Sequence, residues 1–372
     1  MKKSLLPPLI IKGKKIPVCI LQGGMGVGIS LSRLAGAVAR EDGVGIISSA
    51  CLDRLVSKEI HRKVNQYEAI GIEIANTKTR GNYGFVGINI MFALQKDFKI
   101  SVQAALDSKV DFIVSGAGLP VNLPSIQPPK DTALIPIVSS ARALEIICKK
   151  WEKLGYQPDA TVLEGPLAGG HLGFKINQVF LKESELENLL PPVKDIAQKY
   201  GDFPVIVAGG IYTYEDILYW LDLGADGVQM GTRFLATEES GANNAYKQAV
   251  IGCTKNDIMV VDLEKNPPGS PCSLPFRIIR QSPMHAGSKF RKPLCNKGYV
   301  LQKDPATDKF TACLAKKDNQ KYFCICNALL SSAGYEEKEF PIWTVGINAG
   351  RIKKILSAKN LMDKLKGLIP DD

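Results

Sequence analysis

The chain holds three histidines in 372 residues. One of them ends an odd stretch, ATVLEGPLAGGHLGF (Ala160 to Phe174), in which a buried-looking apolar run gives way to glycine, glycine and His171. A lone histidine is more often a core residue satisfied by a backbone partner. Here it lies beyond the run, after two residues with no side chain to shield it. An imidazole titrates near neutral pH, so His171 is placed to move a proton and is the candidate catalytic residue. The other two are weaker: His61 lies in the charged stretch SKEIHRKVNQYE and reads as solvated, and His285 lies in the loop-like SPMHAGSKF.

Other apolar runs end in chemistry as well. The first ends in Gln22-Gly23-Gly24-Met25, the third carries Asn89, the fourth ends in Ser115-Gly116-Ala117-Gly118, and the fifth in Ser139-Ser140. The sixth ends in Gly169-Gly170-His171, the seventh in Ala208-Gly209-Gly210, and the eighth in Gln229-Met230-Gly231-Thr232. Glycine-rich turns after the last two let backbone N–H groups approach an anion, which suits a phosphate. Small residues at so many ends leave room for a planar ring, and Asn89 and Gln229 offer amides to its edge. Phosphate, flat ring and amides together suggest flavin mononucleotide. Pyridoxal phosphate would fit the same periodicity, but no lysine ends any of the eight runs to form a Schiff base.

These residues need a scaffold, and the chain repeats one. Eight short β-branched runs (17–25, 43–50, 85–92, 111–119, 133–141, 160–170, 204–211 and 226–235) are continuously apolar, as strands buried on both faces are. Between them lie amphipathic stretches. From Ser140, Leu144, Ile147, Trp151 and Leu154 fall on one helical face; TYEDILYWLDLG has Thr213 as N-cap and Gly224 as stop. SELENLLPPVKDIAQKYG should be kinked or broken at its double proline. Eight such units predict an α/β fold, a TIM (β/α)8 barrel, with reactive groups at the C-terminal ends of the strands. A doubly wound Rossmann sheet is disfavoured, because the glycines of LQGGMGVGIS miss the G-x-G-x-x-G spacing, and no P-loop motif occurs. The expected organisation is a barrel over 1–240 completed by a helix in 343–372, with 241–342 as a C-terminal extension packed over it. GINAGRIKKILSAKNLMDKLKGLI reads as that final amphipathic helix.

Bulk composition excludes several classes. Hydrophobic residues are 45% and charged residues 23%, which is ordinary globular usage. The apolar runs are too short and interrupted to span a membrane, and the proline-broken, lysine-rich start does not read as a signal peptide, so a cytoplasmic location is expected. The net charge of +10 is scattered rather than clustered with aromatics, so neither nucleic acid nor a membrane is an expected partner. Small molecules are, and a homodimer is the one assembly left open. Nine cysteines suit reduced thiols better than a disulfide framework. Cys295, Cys313, Cys324 and Cys326 cluster late but lack paired C-x2-C knuckles, so thiols are expected there and no metal.

In order, LQGGMGVGIS, GINIM, SGAGLP, EGPLAGGHLGF, PVIVAGGI and GVQMGTRF resemble the nitronate monooxygenase family, formerly 2-nitropropane dioxygenases, and its relatives the flavin-dependent enoyl-acyl-carrier-protein reductases II. The likeness continues through SLPFRII and GINAGRI. It implies an FMN-binding barrel in which Gly23, Gly24 and Met25 line the flavin and Asn89 contacts it. Ala208, Gly209, Gly210, Gly231 and Thr232 would hold the phosphate, with Gln229 nearby, and Ser139, Gly169 and Met230 would complete the cofactor set. His171 matches the family's base or proton donor. Members often have an acidic residue just before the alanine-glycine-glycine-histidine run; here that position is Leu167, and Glu164 lies three positions earlier. Two activities follow: oxidation of nitronates by O2 to a carbonyl compound and nitrite, or NAD(P)H-dependent reduction of an enoyl thioester. In the first, His171 would deprotonate a neutral nitroalkane or hold the anion as imidazolium. A non-catalytic flavin-binding protein is the third reading, against which a placed histidine counts.

Overall fold

The structure is a computed structural model that describes residue 4 and residues 6–286, 298–304, 306–307, 309–336 and 338–371. All eight predicted runs form strands: Ile20–Gln22, Val44–Ser48, Val86–Asn89, Phe112–Ser115, Ala133–Val138, Thr161–Glu164, Val205–Ala208 and Gly227–Met230. Each pairs in parallel with the next, and the eighth closes on the first, with Val228 opposite Ile20. The result is the expected TIM barrel, with helices around it. The strands are shorter than the apolar runs because the glycine-rich residues at their ends turn away to form the mouth. Contact between layers is tight. A Cβ on Gly45 of the second strand would lie 1.8 Å from the Ala35 carbonyl oxygen of helix Ser32–Arg40, so only glycine lets this helix lie against the sheet.

The helices follow their caps. Ser140 accepts from the Ala143 N–H and starts helix Ala141–Glu152, which buries Leu144, Ile147 and Trp151. Leu154 falls past its end and is 45% exposed, so it does not extend the predicted face. Thr213 and Asp216 form a reciprocal capping box at the head of helix Tyr214–Asp222. The double proline does not break its helix, which runs from Leu186 to Lys199 through Pro191 and Pro192. Both prolines lie on the exposed face, so carbonyls deprived of an N–H partner meet water, while Leu186, Leu190, Val193 and Ala197 stay buried against the barrel.

Beyond the eighth strand, helix Asn244–Gly252 leads into strands Ile258–Val261 and Phe276–Ile279, which pair antiparallel. The second of these also pairs with a two-residue strand, Gly170–His171, at the barrel mouth. The long final helix expected from residue 346 is not formed. Ile347–Arg351 is a 3-10 turn, and the helix spans only Ala358–Leu365, capped by Ser357. The reason is tertiary: the Gly346 N–H donates to Thr232 Oγ1 (2.8 Å), the Ile347 N–H to the Leu167 carbonyl, and the Asn348 amide to the Gly210 carbonyl (2.6 Å). These bonds fasten the segment to the mouth instead of to itself. Helix Ala358–Leu365 packs on the barrel helices Ser32–Arg40 and Tyr214–Asp222.

Candidate active site

The C-terminal mouth of the barrel opens into a cavity of about 490 Å³, within the range of ligand sites. Its lining includes His171 and every residue expected to hold a cofactor: Gly23, Gly24, Met25, Asn89, Ser139, Gly169, Ala208, Gly209, Gly210, Gln229, Met230, Gly231 and Thr232. Residues spread over more than two hundred positions converge because each ends a barrel strand or lies in the loop that follows one. The first loop is braced from beneath. Buried Gln22 donates to Ser30 Oγ (2.8 Å) and accepts from the Ile46 N–H, and Ser30 Oγ accepts from the Met25 N–H (2.9 Å).

Two observations test whether a flavin phosphate suits this mouth. The N–H groups of Gly209, Gly210, Gly231 and Thr232 donate to no described residue, so four backbone donors remain for an anion. Gly209 and Gly210 hold φ of +97° and +88°, a backbone turn that brings their amides around. Gln229 Oε1 is buried with no hydrogen-bond partner among the described residues. An unpaired buried acceptor is costly, and a ring N–H from a heterocycle would satisfy it. The nearby Arg233 is already committed. Its guanidinium pairs with both Asp371 oxygens (2.5 and 2.8 Å) and lies over the Tyr212 ring, so an anion here would rely on backbone dipoles.

His171 is not a free rim residue. Its short strand is held by Phe276–Ile279 of the later chain, with His171 opposite Phe276 and Gly170 opposite Arg277. The imidazole rests 4.6 Å from the Phe276 ring, and Nε2 is 2.6 Å from Ser270 Oγ. Burial pushes its pKa down to about 4, because the imidazolium would lose its water there. That shift favours the neutral ring over an imidazolium near pH 7. His61 is exposed just past a helix end, and His285 lies in helix Pro283–Ala286, 3.4 Å from the Asn266 carbonyl oxygen.

Three further groups shape the site: the sequence reading notes Glu164 without giving it a role and passes over Arg277 and Ser270. Glu164 ends the sixth strand in the cavity wall, and burial raises its carboxyl to about pKa 7. Among the described lining residues it is the one carboxyl, since Leu167 occupies the other acidic position. Arg277, 3% exposed, donates to the Pro166 and Ala168 carbonyls (2.5 and 2.6 Å) and so clamps the loop leading to His171. Its pKa is pushed down to about 10 by burial. The third is Ser270. Only Glu164 left a signal, as an acid in an apolar run.

Part of the cavity wall is apolar. Met91, Leu94 and Leu119 come from the barrel loops; Leu274, Phe276, Val300, Ile325 and Leu329 come from the later chain. Tyr299 ties the two together by donating to Asp53 (2.5 Å). Of the late cysteines, Cys295 lies outside the described residues, and Cys313, Cys324 and Cys326 are buried. Among the described residues no cluster has the makings of a metal site, and no helix is long and apolar enough to cross a membrane.

A barrel mouth that gathers four backbone N–H groups, two amide side chains and a histidine has the donors and acceptors that a flavin would need. The sequence model of the nitronate monooxygenase family matches residues 8–367, and the chain belongs to that family. A probable nitronate monooxygenase of Bacillus subtilis (strain 168) is 29% identical over 263 residues, 66% of this chain and 73% of that protein. One from Staphylococcus haemolyticus (strain JCSC1435) is 32% identical over 171 residues, 45% of each, so the match spans less than half of that relative. FabK from Thermotoga maritima shares the fold with a TM-score of 0.65 at 23% identity, covering 93% of this chain and 91% of its own. Nitroalkane oxidase from Streptomyces ansochromogenes does so with 0.66 at 19%, covering 95% of each.

Proposed function

We propose that the protein is an FMN-dependent monooxygenase that oxidises alkyl nitronates with O2 to a carbonyl compound and nitrite. The observation that carries this reading is the meeting, in one cavity, of four unused backbone donors, the unpaired Gln229 acceptor and His171. FMN, when bound, would supply the electron acceptor. Gly209, Gly210, Gly231 and Thr232 would hold its phosphate, with Gly23, Gly24, Met25, Ser139, Gly169, Ala208 and Met230 around it and Asn89 and Gln229 at the edge of the ring. The protein's own work is then to hold the substrate. The apolar wall excludes water from the alkyl part, and His171 meets the charged end. A neutral imidazole with one N–H can hydrogen-bond to a nitronate oxygen without the desolvation cost of a buried cation.

A second reading, NAD(P)H-dependent reduction of an enoyl thioester, draws on the same apolar wall, which would equally accept an acyl chain. Nitrite release from propyl-2-nitronate in air separates the two. No nitrite, together with rapid NADH oxidation by crotonyl thioester, would overturn the first. His171→Ala should keep the yellow colour and lower nitronate turnover at least about tenfold, the scale of one lost hydrogen bond to a charged group. Unchanged turnover would reduce His171 to packing. A protein that cannot be loaded with flavin would remove both readings and leave the cavity to another ligand.

A further inference from the structure

The bond between His171 and Ser270 joins residues 99 positions apart and is the tightest restraint on the imidazole. Ser270 is fully buried, so it is no nucleophile waiting for substrate. Its hydroxyl oxygen already accepts the Cys272 N–H at 3.2 Å. The Cys272 sulfur is the other neighbour of that hydroxyl, and burial lifts its thiol to about pKa 11. A hydroxyl has one hydrogen to give and two lone pairs to fill. One lone pair takes the backbone N–H, and the hydroxyl hydrogen has two candidate acceptors, the imidazole nitrogen and the Cys272 sulfur. Sulfur is the far weaker acceptor of the two candidates.

We infer that Ser270 is a positioning residue that donates to Nε2 of His171, so that the neutral ring carries its proton on Nδ1 and presents an N–H donor, rather than a base, to the cavity. Nδ1 has no partner among the described residues, and His171 lines the cavity wall. The nitrogen that a hydrogen bond occupies decides which one of a neutral imidazole is protonated. Three charged or titratable groups lie on the elements around the ring. They are the Arg277 guanidinium on the paired strand, the protonated Cys272 thiol on the loop before it, and the Glu164 carboxyl at the end of the sixth strand. The inference rests on the reading of His171 as the substrate-facing group and sharpens it. The preferred substrate is one that arrives already deprotonated, with an acceptor oxygen for Nδ1–H. A neutral nitroalkane, whose carbon must lose a proton, would find its base nitrogen capped by Ser270.

Nitrogen-15 NMR of the flavin-loaded protein with labelled histidine tests this, because only three imidazoles contribute. The signal lost in His171→Ala identifies the residue. The expected result is an Nδ1–H tautomer that persists from about pH 8 down to about pH 6. Ser270→Ala should shift the ring to a mixture or to Nε2–H, and Ser270→Thr should restore it. The same Ser270→Ala change should narrow, by about tenfold or more, the preference in kcat/KM for propyl-2-nitronate over 2-nitropropane. An Nε2–H tautomer in the wild-type protein would overturn the inference even if no variant folds. Loss of turnover in His171→Ala alongside that result would leave the proposed function standing, so the two fail separately.

Discussion

At the scale of single residues, the mouth holds two titratable groups whose surroundings move them in opposite directions. Burial drives His171 down to about 4 and Glu164 up to about 7. Glu164 therefore changes charge within the working range of pH, beside the subsite proposed for the flavin. An ionised carboxylate there would repel an anionic cofactor, whereas the protonated form can donate to it. Flavin affinity should accordingly weaken several-fold between about pH 6 and pH 8. Glu164→Gln should flatten that dependence, read by fluorescence quenching of added FMN. An equal slope in both proteins would exclude Glu164 as its source. The sequence announced the position of Glu164 but not its ionisation, because desolvation is a property of the packed mouth. Ser270 was beyond reach for another reason: no local pattern links a loop serine to a histidine 99 residues earlier.

At the scale of elements, the barrel was the legible part. Strands covered on both faces must be apolar throughout, and each of the eight runs announces itself in that way. The strand ends were legible too, since a turn that leads from a buried strand to a ligand needs small residues. What the pattern could not show were elements made by tertiary pairing. Gly170–His171 is a strand only because Phe276–Ile279 lies beside it, and Ile347–Arg351 is a 3-10 turn only because its amides bind the mouth. The glycine turn after the seventh strand allows a direct test. A Cβ on Gly209 would lie 3.0 Å from the Ala168 nitrogen and 3.1 Å from the Gly165 oxygen, at a φ that L-residues avoid. Gly209→Ala should cost about 1–2 kcal/mol of strain and weaken FMN binding about tenfold or more. Gly224→Ala is a control at a similar φ of +97° with open space around its Cβ and no place in the cavity. It should destabilise comparably and bind flavin normally. Equal flavin affinity in both variants would argue against the turn as the phosphate subsite.

At the scale of the whole molecule, the two shifted groups set a pH window for stability. Glu164 titrates higher in the folded chain than its ordinary 4.5, so its contribution is complete below that value and drains away as pH rises through about 7. His171 titrates lower than its ordinary 6.5, so its contribution is complete above that value and drains away as pH falls through about 4. Cofactor-free protein should thus lose stability on both sides of about pH 5.5. Glu164→Gln should raise the unfolding midpoint relative to wild type by a few degrees near pH 8, and not near pH 5, equivalent to about 1–2 kcal/mol once water in the cavity is allowed for. Calorimetry at the two pH values checks it; an equal difference at both would mean that the change acts through packing.

The three-stranded sheet over the mouth divides the labour of the chain along its length. The proposed cofactor subsite lies before residue 240, in strand ends that residues 346–348 brace from outside. The attitude of the histidine and most of the wall that a substrate touches are written after it, in Ser270, Phe276, Arg277 and their neighbours. On the proposed function, a change between residues 258 and 345 would retune what is turned over and spare most of the proposed flavin subsite. Within such a family, substrate preference can drift in the late segment while the early one stays fixed, and exchanging that segment between two members should carry selectivity with it.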